Sequence, residues 1–100
     1  MLYLWAMRLL GKKLLDQFFQ EHADARAPLG AWVLEVDAAQ WKTTIDIKQR
    51  FPSASFLAGN VVVFNIKGNT YRLVSKVEFV TAIVLVTRIG THAEYSKWTL

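Results

Sequence analysis

The hydrophobic period of this chain changes once, near Pro52, and that change constrains the fold more than any other feature of the sequence. Upstream, Leu10, Leu14, Leu15, Phe18 and Phe19 recur at i, i+4, i+5, with Lys12, Lys13, Asp16, Gln17 and Gln20 on the other side. This is the stripe of an amphipathic helix, expected to end near His22. Asp24 is placed to cap a second helix, with Pro28 in its first turn, Leu29, Trp32, Val33 and Val36 as its apolar stripe, and an end around Asp37. Thr43 or Thr44 reads as the N-cap of a short third helix through Ile45, Ile47 and Lys48. Pro52 stops it, because the residue before a proline resists the α conformation.

Downstream the runs are β-branched and aromatic: Ser53 to Leu57, Val61 to Ile66, Thr70 to Phe79 and Ile83 to Ile89. They are separated by Ala58-Gly59-Asn60, Gly68-Asn69 and Val80-Thr81-Ala82, where turn formers such as Asn60 and Asn69 sit. Three of these strands are expected to form an antiparallel meander. Helices followed by hairpin-linked strands predict an α+β fold, with N-terminal helices packed on one face of a C-terminal antiparallel sheet. One hundred residues make one domain, 1–100.

The absence of cysteine excludes disulfide scaffolds, thiolate zinc sites and cysteine nucleophiles, and a reducing, cytoplasmic setting is expected. The apolar opening MLYLWAM is too short to span a membrane and lacks the basic and cleavage regions of a signal peptide. Met7 is read as the working start and residues 1–6 as an extension. With its three Tyr left out and its five Gly counted, the 53 hydrophobic residues become 55, against about 45–50 per hundred in a soluble chain, which predicts apolar surface left over for a partner. The net charge is +4, and residues 51–100 hold five Lys or Arg against two Asp or Glu. The excess cation therefore sits in the strand half, which favours an anionic partner such as RNA.

A two-residue turn at Gly68-Asn69 would set Lys67 opposite Thr70, Ile66 opposite Tyr71, Asn65 opposite Arg72 and Val63 opposite Val74. Val62, Phe64, Ile66, Tyr71, Leu73, Val77 and Phe79 then share a dry face. Asn65, Lys67, Arg72 and Lys76 share the other with Val63 and Val74, and Arg88 joins them if Val84 and Val86 point the same way. Solubility and edge protection alone would place the same cations there. The segment after the last strand argues for more, since His92, Tyr95 and Lys97 bring an imidazole, a phenol and an ammonium near its end.

Those groups suit metal-free RNA cleavage. The 2′-hydroxyl must lose a proton, the 5′-oxygen must gain one, and the phosphate's growing charge needs fixed cations. His, Tyr and Lys handle protons, and Arg binds phosphate through two N–H groups. Divalent metals want clustered carboxylates, and the strand half has only Glu78 and Glu94, so no metal or cofactor is expected. His22 reads as a surface or helix-end histidine. Trp5, Trp32 and Trp41 read as packing residues, with Trp98 near enough to the proposed site to stay open as a base-stacking residue.

Ser53-Ala-Ser-Phe56, Val62-Val-Phe-Asn-Ile-Lys-Gly-Asn69, Tyr71-Arg-Leu-Val74 and Gly90-Thr-His-Ala-Glu-Tyr95 with Lys97 resemble the HigB family of toxins from bacterial type II toxin–antitoxin systems. The likeness runs from about Met7 to Lys97. It implies a RelE-like fold in which Met7 to Leu10 supply a short first strand where periodicity alone shows helix. It implies an mRNA interferase, a metal-independent endoribonuclease that cuts translated mRNA in the ribosomal A site, arrests growth and is neutralised in a complex with a HigA-type helix-turn-helix antitoxin. The residues matching the family's basic motif are Lys67, Arg72, Arg88, His92, Tyr95 and Lys97. On that resemblance His92 or Tyr95 is the proton-transfer group, Arg72 and Arg88 clamp phosphate, Lys67 assists the base or contacts the backbone and Lys97 is a further RNA contact, to which the shared cationic face adds Lys76 and Asn65. Ser96 stands where the family pattern often has Asp. Two rival readings of the same residues are a non-catalytic RNA- or ribosome-binding module and a purely structural partner subunit.

Overall fold

The computed structural model of the protein describes residues 6–100, so most of the expected N-terminal extension, and Trp5 with it, lies outside the described residues. Strand β1, Arg8–Leu10, turns at Gly11, whose φ is +90° and where a Cβ would lie 2.6 Å from the Val86 carbonyl oxygen. Only glycine fits so close to the sheet in that conformation. Leu10 therefore belongs to a strand, as the family resemblance implies, and the helical stripe starts later. Helix α1, Lys12–Glu21, buries Leu15 and half-buries Phe18 and Phe19.

A 3₁₀ turn, Ala23–Ala25, leads into α2, Arg26–Ala38, with Pro28 in its first turn and Leu29, Trp32 and Val36 buried. The expected Asp24 cap is absent: the N-cap is Ala25, and the Asp24 carboxylate instead accepts hydrogen bonds from Lys67 and Tyr71. Helix α3, Thr44–Arg50, begins with a capping box between Thr43 and Asp46 and ends at Phe51, just before Pro52.

Strands β2 (Ser55–Leu57), β3 (Val61–Ile66), β4 (Tyr71–Glu78) and β5 (Ile83–Thr91) form an antiparallel meander. β1 adds to it in parallel beside β5, giving the order β1-β5-β4-β3-β2. The sheet is thus mixed at one edge, and the fold is α+β with the helices on one face. The pairs Ile66–Tyr71, Asn65–Arg72 and Val63–Val74 are those expected from the hairpin. Beneath the helices Val62, Phe64, Ile66, Tyr71, Leu73 and Val77 are buried, and Phe79 is half-buried. Phe64 is the hub of this core, with ring centroids 5.3 Å from Trp32, 6.2 Å from Trp41 and 5.1 Å from Phe51. Trp32 and Trp41 are packing residues, as expected.

One irregularity changes which residues share a face. Val74 pairs with Arg88 but Ser75 pairs with Val86, so Thr87 is an extra residue on β5, and its hydroxyl donates to the Val74 carbonyl at 3.2 Å. A bulge inverts the alternation beyond it. Val84 and Val86 point into the core, contrary to the condition set for Arg88, yet Arg88 still reaches the open face because the bulge lies between.

Candidate active site

β5 also runs two residues past Ile89, and its end is joined directly to a one-turn helix, α4 (His92–Tyr95). Thr91 caps it: the Glu94 N–H donates to Thr91 Oγ1 at 3.1 Å and the Thr91 N–H donates to Glu94 Oε1 at 2.8 Å. The backbone bond with Thr91, aided by the charges of His22 and Lys97, holds the Glu94 carboxyl below its usual range. This reciprocal cap fixes the direction of the turn that begins with His92. The His92 N–H in turn donates to the Thr70 carbonyl at 3.1 Å, tying α4 to the β3–β4 loop.

Arg72 is the centre of the cluster and is only 7% exposed. Its Nη1 donates to the carbonyls of Asn69 at 3.1 Å and Tyr71 at 3.3 Å, and its Nη2 to Asn69 Oδ1 and to His92 Nδ1, the latter at 2.9 Å. A guanidinium only donates, so Nδ1 of His92 is the acceptor and the neutral ring carries its hydrogen on Nε2. The four terminal N–H groups of Arg72 are committed, and Nε alone is left for a ligand. The guanidinium also lies 5.6 Å from the Tyr95 ring centroid. No hydrogen bond to the Tyr95 hydroxyl is found among the described residues, which leaves that group available.

Trp98 closes the other side. It meets the Tyr95 ring edge-on at 5.9 Å and lies 4.9 Å from the Arg88 guanidinium. A Cβ on Gly90 would come within 2.7 Å of the Trp98 ring, so the missing side chain is what admits the indole. The structure thus gathers Arg72, His92, Tyr95 and Trp98, with Arg88 beside them and Asn65 directly across from Arg72. Lys97 is exposed at the end of this turn, close enough to Glu94 to influence its ionisation. Lys76 is on the same face but four residues along β4 from Arg72, between Val61 and Leu85.

Lys67 departs from expectation. It leaves the ladder with φ +53°, and its Nζ pairs with Asp24 Oδ2 at 2.5 Å on the helical side of the sheet, where the Tyr71 hydroxyl donates to the other carboxylate oxygen. Alternation carries no information past the last ladder pair, Ile66–Tyr71, so the face of a loop residue was not legible. Lys67 first, then Tyr71, holds the Asp24 carboxyl below its ordinary range, and the same bond pushes the Tyr71 hydroxyl up. His22, a helix-end residue as read, stacks on Phe18 at 4.3 Å and meets Tyr71 edge-on at 5.4 Å.

Sequence reasoning missed the framing roles of Asn69 and Asp24. Nothing in the spacing marks Asp24, but Thr91-His92-Ala93-Glu94 carries a readable capping-box signature. Among the described residues no group of three His, Cys, Asp or Glu is arranged to hold a metal ion, and no helix is long and apolar enough to cross a membrane.

A model of a protein family described as HigB_toxin, RelE-like toxic component of a toxin-antitoxin system, matches residues 25–98. The chain belongs to the HigB toxin family. No curated protein matches it. The family span covers α2 through Trp98 and therefore the whole cluster around Arg72, whereas Asp24 and His22 precede it. A HigB toxin is one component of a pair, so an antitoxin is its partner.

Proposed function

We propose that this HigB toxin is a metal-independent endoribonuclease that cleaves translated mRNA in the ribosomal A site and so arrests growth in the cytoplasm. The carrying observation is an exposed imidazole seated 2.9 Å from a buried guanidinium, with an uncommitted phenol on the same guanidinium. In the reaction the 2′-oxygen attacks phosphorus as it loses its proton. The bond from phosphorus to the 5′-oxygen breaks, and that oxygen takes up a proton, leaving a 2′,3′-cyclic phosphate and a 5′-hydroxyl end. With Nδ1 accepting from Arg72, His92 donates a hydrogen bond from Nε2 to a phosphate oxygen and keeps its proton, while Tyr95 gives its phenol proton to the departing 5′-oxygen and the 2′-hydroxyl proton passes to solvent, from which Tyr95 is reprotonated. Arg72 acts mainly by fixing both rings, while Arg88 and Lys97 supply cations for phosphate, with Asn65 as a flanking contact and Lys76 as a more distant steering charge. The partner is of the HigA type, with a helix-turn-helix domain, and the neighbouring reading frame is where it is sought.

The commitment of all four terminal N–H groups of Arg72 favours one alternative, a module that inhibits by occupying ribosomal or messenger RNA without cutting it. Primer extension on a message from induced cells separates the two. Cleavage gives new 5′-hydroxyl ends that vanish with His92→Ala; growth arrest without such ends would leave occupancy as the function.

A further inference from the structure

The helical layer carries a groove that the proposed ribonuclease site does not use. It lies between α1 and α2, encloses about 360 Å³ and is walled by Leu15, Phe19, Leu29 and Val33. Gly30 opens onto it from the middle of α2. Glycine is the poorest helix former after proline, yet at Gly30 no atom lies within 4 Å of where a Cβ would stand, and its φ is not in the left-handed region. Nothing inside the chain requires a glycine here, whereas close approach of another backbone would. One turn on, Leu34 is 71% exposed at the rim of the same groove.

We infer that this groove is the docking site for a helix of the antitoxin, a reading that rests on the toxin–antitoxin pairing of the family. The occupant is an amphipathic helix whose apolar stripe, spaced i, i+4, i+7, lies along Phe19, Val33 and Leu34 with its backbone over Gly30. Lys12 at one rim already pairs with Asp37 at 3.9 Å, which leaves Arg26 at the other as the cation open to an occupant. Arg26, lying 5.5 Å from the Phe19 ring centroid, makes no ion pair among the described residues, so the helix presents a carboxylate to it.

The test co-expresses the tagged full chain with the antitoxin from its own locus, using Gly30→Trp and Leu34→Glu, with Val80→Glu at a fully exposed turn position as control. Both groove variants are expected to keep the parent's circular dichroism and melting temperature and to arrest growth when expressed alone. They should retain at least tenfold less antitoxin and escape its rescue, while the control behaves as the parent. Parental antitoxin recovery and rescue in both groove variants would overturn the assignment. So would a parent that is dimeric alone and a Gly30→Trp variant that is monomeric, since the occupant would then be a second copy of this chain. A parent that fails to arrest growth counts against the ribonuclease reading and leaves the copurification comparison standing.

Discussion

At the loop end of the sheet, two cations five residues apart meet opposite fates on opposite faces. On the helical side Lys67 is held by Asp24, whose other oxygen accepts from Tyr71. On the open side Arg72 is held by neutral acceptors, Asn69, the Tyr71 carbonyl and His92, so its charge is not cancelled by any carboxylate. An ion pair closes a site electrostatically; a guanidinium fixed by neutral groups keeps its positive field directed at whatever arrives. The open side is therefore where an anionic phosphate gains most. The helical side serves to pin the loop that carries Asn69.

The two sides differ most at His92 and Arg72. His92→Ala is expected to lower RNA cleavage by on the order of 10²-fold or more, with folding unchanged because the ring is exposed. Arg72→Ala should lose as much activity and also destabilise the protein by roughly 1.5–3 kcal/mol, since its charge-assisted hydrogen bonds hold the loop. Arg72→Lys should not rescue it, because an ammonium has only three donors and cannot serve the four acceptors held by the guanidinium. Cleavage assays with purified variants and chemical denaturation check both. Parental activity in His92→Ala would move the chemistry away from the open side.

Gly90→Leu comes next. A side chain there must displace Trp98, loosening the support of Arg88 and Tyr95, and a loss of on the order of tenfold in cleavage is expected with the core intact. If cleavage falls while tryptophan fluorescence stays that of the parent, Trp98 is not the residue that moves.

How much of this was legible follows from where alternation holds. The β3–β4 ladder runs from Ile66–Tyr71 to Val61–Lys76 without a register shift, so its pairing could be read from the turn, although Val63 and Val74 on the other side are buried as well. Arg88 reached the open face against the stated condition, because bulge position depends on tertiary packing and leaves no mark in the local pattern. Lys67 was lost for a related reason: beyond the final ladder pair, side-chain direction depends on the loop's φ values and on a carboxylate 43 positions earlier in the chain. Leu10 continued a helical stripe by coincidence of spacing, and Gly11 settled its place through contact with Val86.

The helical-side pair predicts a pH signature. Asp24 has a lowered pKa when folded, so its stabilisation is present above the unfolded carboxyl value of 3.8 and is lost as pH falls through the lower folded value. Tyr71 has a raised pKa, so its contribution holds below the unfolded value of 10.0 and is lost as pH rises through the folded one. Asp24→Asn should flatten the acid limb of a stability profile, and Tyr71→Phe the alkaline limb. Melting temperatures across pH read both. Profiles that keep their parental limbs would mean that the pair does not hold the loop.

The smallest effects are expected where cations look equivalent by sequence and are not by position. Lys76 lies roughly 13 Å from Arg72 along β4 by the rise of an extended strand, beyond the Debye length of about 8 Å at physiological ionic strength. Lys76→Met should therefore change cleavage by less than about twofold at that salt, with more effect at low salt, as a distant steering charge would. Lys67→Met should be as mild at neutral pH despite its family-matched position, because its ammonium is already spent on Asp24. Should Lys67→Met instead cost as much as His92→Ala while the melting temperature holds, the Asp24 pair must open during the reaction, and the two faces would have to be treated as one site.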